Sequence, residues 1–150
     1  MVAVLLRGAK HGFTLIELLL VLGIISLLVS ITIAALSPSR QLATSRNAKR
    51  QADVNSILSA VYQYLVDVER LPSTIPSGSA REICATDSSD CDDAISLDVL
   101  TGAYIVRIPA DPQLADTATG TNYWIVRDWS GRITVSAPGA EEGQNISITR

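Results

Sequence analysis

The chain divides into three stretches by its pattern of hydrophobic and polar positions. Residues 13–36 are almost entirely apolar, and the nineteen residues from 18 to 36 carry no charge. Residues 40–69 are mixed, and their apolar positions recur at helical spacing. Residues 101–150 hold short apolar runs separated by Gly, Pro, Asp and Asn. The pattern predicts a lipophilic helix, then an amphipathic helix, then an antiparallel sheet.

The apolar run is long enough to cross a membrane. Its twenty-four residues would span about 36 Å as a helix, against a bilayer core of about 30 Å. Arg7 and Lys10 precede it without a neighbouring acid, so the positive-inside rule keeps that end in the cytoplasm and sends the rest across. A cleavable secretory signal is an alternative. However, such signals have shorter apolar regions, and Ile33 stands where the best cleavage site needs a small residue.

The amphipathic stretch presents one apolar stripe to a core. Ser37-Pro38-Ser39 predicts a kink or a short break before it, and Leu71-Pro72 predicts its end. Tyr62 and Tyr64 lie off the stripe, and we expect them to pack at its rim. The stripe consists of Val54, Ile57, Leu58, Val61, Leu65 and Val68.

The C-terminal third predicts three to four antiparallel strands, at 104–108, 123–127, 132–136 and 146–148. A turn at 128–131 joins the second and third, and Gly131 permits positive φ there. We therefore expect an α+β fold, in which a long N-terminal helix, apolar in its first half and amphipathic in its second, packs on a small antiparallel sheet.

Composition excludes several classes of function. The formal charge is −3 and no dense basic surface is evident, so we expect no nucleic-acid binding. The single His stands at position 11, and neither a nucleophile–base pair nor metal-ligand spacing follows it. We therefore expect no enzyme.

Glu17 is the one charge within the apolar run. A carboxylate in a membrane helix costs about 2.5–3.5 kcal/mol at mid-membrane, so it marks a candidate functional residue. It ends the motif G-F-T-L-I-E at residues 12–17, which follows a short basic stretch and opens the apolar helix. This combination resembles the class III prepilin signal of type IV pilins and of the pseudopilins of type II secretion.

The resemblance implies a processing pathway and a function. Prepilin peptidase would cut after Gly12, and the new N-terminal Phe13 would be N-methylated. Glu17 would then pair with the Phe13 amine of a neighbouring subunit inside an apolar filament core. The chain would be a structural subunit that polymerises with itself or with other pilin-like subunits at an inner-membrane assembly platform. The alternative is an uncleaved, signal-anchored extracytoplasmic binding or sensor module.

The expected organisation is a single-pass cytoplasmic membrane protein with its head outside the cytoplasm. Assembly would place it in a cell-surface fimbrium or in a periplasmic secretion filament. The segments are a leader peptide at 1–12, a transmembrane and filament-core helix at 13–36, and a head at 37–150 with a helix at 39–70, a loop at 71–100 and a sheet at 101–150.

Cys84 and Cys91 lie in the polar loop. Because a translocated domain is outside the reducing cytoplasm, we expect a disulfide between them, with two unpaired thiols as the alternative. Residues 108–124 resemble the C-terminal region of major pseudopilins, in which loop acids bind calcium. Here the loop offers only Asp111, Asp116 and Asn122, whereas calcium takes about six to eight oxygens. We therefore expect no metal or other cofactor, with Asp111 and Asp116 as the calcium candidates.

Two oppositely charged blocks suggest a contact between subunits. Removing the leader takes away Arg7 and Lys10 and changes the formal charge from −3 to −5. Six acids between 82 and 98 have no base among them. We expect this block to face a basic patch on another subunit, with two solvated surfaces, or lipid headgroups at the patch, as alternatives. The basic patch consists of Arg40, Arg46, Lys49 and Arg50.

Overall fold

A computed structural model describes residues 12–35, 37–86, 88, 91, 93–115 and 118–150. The predicted leader therefore lies outside the described residues, apart from Gly12. Within the described residues the α+β prediction is confirmed. The elements are α1 (Leu15–Ala35), α2 (Pro38–Val68), β1 (Arg81–Cys84), a short 3-10 helix (Asp98–Leu100), β2 (Gly120–Arg127), β3 (Ile133–Ala137) and β4 (Ile146–Thr149).

Helix α1 exposes its apolar side chains. Large hydrophobic residues from Phe13 to Ile33 are all exposed. Residues Leu15–Ile33 are long and apolar enough, by length and composition, to cross a membrane. Because an apolar surface of this size is unfavourable in water, α1 needs an apolar environment that its own unit does not supply.

The helix is interrupted before the head. Helix α1 ends at Ala35, and α2 begins at Pro38. Ser37 between them has a φ of 41°, outside the helical range. Proline suits the first turn of a helix because it lacks the N–H that would be unpaired there. The interruption predicted from Ser37-Pro38-Ser39 is therefore present as a break.

Helix α2 covers one face of the sheet with the predicted stripe. Val54, Ile57, Leu58 and Val61 are fully buried in one cluster with residues of β2 and β3. Each such side chain contributes about 1.5–3 kcal/mol on burial. Towards the end of the helix Leu65 and Val68 are half-buried. Tyr62 and Tyr64 pack against this core from its rim, as predicted.

The sheet has four strands in the order β1-β2-β3-β4, and all neighbours are antiparallel. The predicted hairpin is confirmed, because β2 and β3 flank a turn at 128–131. Gly131 in that turn has a φ of 87°, and its N–H donates to Asp128 O at 3.1 Å. The predicted edge strand at 146–148 is also confirmed, as β4.

The prediction of a strand at 104–108 is wrong. Gly102 takes a φ of 82°, and the N–H groups of Tyr104 and Ile105 donate to Leu100 O at 3.0 and 3.1 Å. These bonds form a compact turn, which brings Tyr104 edge-on to Tyr64 with ring centroids 5.6 Å apart. The sheet instead includes β1, which lies within the stretch predicted as a loop at 71–100. Ile83 of β1 is fully buried in the core.

Candidate assembly site and charged network

Glu17 forms a reciprocal cap at the start of α1. Its Oε2 accepts hydrogen bonds from Thr14 N and Thr14 Oγ1, both at 2.8 Å. The N–H of Glu17 in turn donates to Thr14 Oγ1 at 3.3 Å. This is a capping box, in which two otherwise unpaired backbone donors are satisfied. The cap provides the carboxylate with polar partners inside its own chain.

Thr14 is a residue that the sequence reasoning missed. The signal was present, because Thr-x-x-Glu directly before an apolar run is the capping-box pattern. Within the described residues the bonds to Glu17 use only Oε2 of its carboxylate. The other oxygen is therefore available to a second partner.

Gly12 and Phe13 stand outside the helix. Both residues precede Leu15, the first residue of α1, and both are exposed. Phe13 is 87% exposed. The peptide bond between them lies outside the hydrogen-bonded ladder of α1, and such a bond can enter the active site of a peptidase without unwinding a helix. The geometry thus suits the predicted cleavage, which stays a prediction.

Arg50 is not part of an exposed basic patch, and that prediction is wrong for this residue. Its side chain is 0% exposed. Its Nε donates to Asp111 Oδ2 at 2.7 Å, and its Nη2 donates to Asp111 Oδ1 at 2.9 Å. Nη1 donates to Glu141 Oε2 at 3.0 Å. The guanidinium therefore links α2 to two loops of its own head and cannot face another subunit.

Arg46 belongs to the same network. Its Nε donates to Glu141 Oε2 at 2.7 Å. The hydrogen bonds from Arg46, and then those from Arg50, lower the pKa of Glu141 to about 2. Asn47 completes the contact, because its Oδ1 accepts from Glu141 N at 3.0 Å. Arg46 is thus held chiefly within its own subunit.

Asp111 stays ionised despite its burial. Desolvation raises its pKa, but hydrogen bonds from Arg50 and from Gln113 N outweigh that effect, so its pKa lies below its ordinary value. Both of its oxygens already accept from Arg50, so Asp111 as placed does not fit a calcium ligand. The other candidate, Asp116, lies outside the described residues, and the prediction that the chain holds no metal stays a prediction.

Two members of the predicted patch remain at the surface. Arg40 is 75% exposed and contacts Glu142 at 3.5 Å. Lys49 is exposed and makes no ion pair with any residue that the structure describes. Of the opposing acidic block, Asp87, Asp90 and Asp92 lie outside the described residues.

The disulfide prediction is confirmed. Cys84 and Cys91 are bonded, with their Cα atoms 5.6 Å apart. Cys84 ends strand β1 and is buried against the core. The bridge therefore attaches the following polar loop to the sheet.

Comparison with known protein families supports the N-terminal assignment. Residues 7–35 match the prokaryotic N-terminal methylation motif. The match spans Gly12, Phe13, the capping box and all of α1. Neither comparison with curated proteins nor comparison with solved structures gave a match. The chain therefore carries the class III prepilin signal of type IV pilins and pseudopilins, and this signal supports a pilin-like or pseudopilin precursor.

Proposed function

We propose that this protein is a structural subunit of a type IV pilus-like or pseudopilus filament. Prepilin peptidase cuts after Gly12, Phe13 is N-methylated, and the mature subunit polymerises through α1. The observation that carries the proposal is the prepilin signal joined to a helix whose apolar side chains are exposed. Packing many copies of α1 side by side would bury that surface.

The capping box suggests how Glu17 takes part in assembly. Oε2 is engaged by Thr14, whereas Oε1 is available to the methylated amine of Phe13 from a neighbouring subunit. In an apolar core such a pair cancels two charges, and it is satisfied only when adjacent subunits are in register. Glu17 therefore selects the axial stagger of the filament, in addition to any stability it contributes.

The proposal assigns a location and partners. The subunit waits in the cytoplasmic membrane with α1 spanning the bilayer and its head outside the cytoplasm. Its partners are further copies or other pilin-like subunits, the peptidase and a membrane assembly platform. Arg40 and Lys49, the exposed members of the predicted patch, contact the acidic block of another head. The role is structural and requires neither enzymatic activity nor nucleic-acid binding.

The N-terminal residue and mass of the membrane-extracted protein test this function. We expect a chain that begins at Phe13 and carries one methyl group. A matched variant, Gly12→Leu, should remain full-length, because a bulky side chain replaces the open backbone at the cut. A wild-type chain that begins at Met1 would indicate the uncleaved anchor. A start near residue 36 would indicate a secreted soluble domain, and either result would overturn the proposal.

A further inference from the structure

The guanidinium of Arg50 lies inside a cage of oxygen atoms. Five oxygens from four side chains accept its hydrogen bonds, at donor–acceptor distances from 2.6 to 3.0 Å. Two of these side chains are carboxylates and two are amides, which are the oxygen donors that hard cations take. The five atoms are Asp111 Oδ1 and Oδ2, Glu141 Oε2, Gln113 Oε1 and Asn47 Oδ1.

The cage is held in place by more than Arg50. Asp111 N donates to Thr121 O at 3.0 Å, and Asp111 Oδ1 accepts from Gln113 N at 2.9 Å. On another side the backbone of Gly139 packs closely against the Asp111 carboxylate, because a Cβ at position 139 would lie 2.6 Å from Asp111 Oδ2. Glu141 is fixed by the bonds from Arg46 and Asn47. The two carboxylates are therefore held around this position partly through contacts that do not involve the guanidinium.

We infer that Arg50 serves as a built-in cation in a cation-binding cage. It fixes the segment that begins at Asp111, so the head needs no divalent ion there. Removal of the guanidinium would leave a cage that accepts calcium. This inference goes beyond filament assembly, because it concerns how the head itself is held together. It also explains why Asp111, an acid in the region that resembles a calcium loop, does not fit as a metal ligand in the native chain.

Loss of the guanidinium leaves these side chains with a net negative charge, which favours a replacement cation. Arg46 and Arg50 carry two positive charges, and Asp111 and Glu141 carry two negative charges. Without the guanidinium, one of these two carboxylates has no counter-charge, which is unfavourable in a water-poor interior. A calcium ion would restore a positive charge, and water would complete its coordination beside the protein oxygens.

The test is the calcium dependence of thermal unfolding, measured on the full chain in detergent micelles. The variants are Arg50→Met, which keeps the aliphatic stem without the charge, and Arg50→Lys, which keeps a cation. We expect the Tm of the wild type and of Arg50→Lys to be equal in calcium and in chelator. The Tm of Arg50→Met should be lower in chelator and should rise with calcium, since an ion that binds only the folded state stabilises it. Magnesium at equal concentration controls for ionic strength and should act more weakly, because it dehydrates reluctantly.

Three results would overturn the inference. A wild-type Tm that rises with calcium as much as that of Arg50→Met would show that the ion binds without removal of the guanidinium. A folded Arg50→Met whose Tm is the same in calcium and in chelator would show that the oxygens are not a cation cage. An Arg50→Met that stays unfolded in calcium would show the same, because a filled cage would restore the fold.

Discussion

The two helices of this chain satisfy their polar groups in opposite ways. In α1 the acid Glu17 is bonded to Thr14, three residues before it. In α2 the base Arg50 is bonded to Asp111 and Glu141, which are 61 and 91 residues further along the chain. The apolar side chains differ as well, because those of α1 are exposed and the main stripe of α2 is buried.

Under the proposed function, this difference separates assembly from folding. Helix α1 is complete as secondary structure, but the burial of its apolar surface has to come from lipid or from other subunits. Helix α2 finds both its apolar and its charged partners in its own head. Substitutions in α1 should therefore change filament formation without changing head stability. Substitutions around α2 should change the stability of the head first.

The largest effect is expected at Glu17. Glu17→Leu removes both the cap and the charge, and we expect it to abolish filaments, as measured by sheared-filament yield and electron microscopy. Glu17→Gln is the matched control, because an amide still accepts the capping bonds but carries no charge. We expect Glu17→Gln to form no filaments either, with the Tm of the head unchanged in both variants. Normal filaments from Glu17→Gln would show that the cap matters and the charge does not.

The next effect is expected at Asp111, on the other side of the comparison. Asp111→Ala leaves the buried guanidinium of Arg50 without its main partner, which should cost about 3–5 kcal/mol of unfolding free energy. Urea denaturation of the full chain in micelles measures it. The control is Arg40→Ala, whose exposed ion pair should contribute within about 0.5 kcal/mol. Equal losses in the two variants would contradict a structural role for the network.

The disulfide should have a smaller effect. Replacing Cys84 and Cys91 together by Ser opens an eight-residue loop, which should lower the unfolding free energy by about 2–3 kcal/mol in the chain-entropy model. Reduction of the wild-type protein should give a loss of the same size, again by urea denaturation. A double variant as stable as the oxidised wild type would show that the bridge does not stabilise the head.

The smallest expected effect is on the stability of the head at acid pH. The pKa of Glu141 is about 2 in the folded head, against 4.5 ordinarily. The unfolded chain therefore binds a proton more readily, so the stability that Glu141 contributes is complete above about pH 4.5 and is lost as the pH falls towards 2. Glu141→Gln should flatten this part of the curve of unfolding free energy against pH.

The control for that measurement is Glu142→Gln. Its contact with Arg40 is exposed, so we expect the acid slope of the wild type to persist in this variant. A slope that persists equally in Glu141→Gln would assign the acid sensitivity to other groups.

Local signals made much of this molecule predictable. The spacing of Val54, Ile57, Leu58 and Val61 predicted the buried stripe, because the helical period is visible within a few turns of sequence. Gly131 marked the hairpin turn, and Gly12 with Glu17 marked the processing signal. Each of these features depends on residues that are close together along the chain.

The sequence patterns did not show which residues far apart along the chain contact each other. Four bases in eleven residues suggested a solvated surface, yet Arg50 is buried because acids far along the chain surround it. The run 104–108 has strand-like composition, but hydrogen bonds to Leu100 fold it into a turn. Ile83 contributes to the sheet from a four-residue strand, which is too short for alternation to identify.

The interruption at Ser37 and Pro38 has a consequence for cooperativity. Helical order spreads through N–H groups that donate four residues back, and Pro38 has no N–H to donate. Each helix must therefore nucleate separately, and a change in the helicity of one is not propagated along a shared ladder to the other. Amide exchange within α1 should follow the lipid or detergent around it. Amide exchange within α2 should follow the stability of the head.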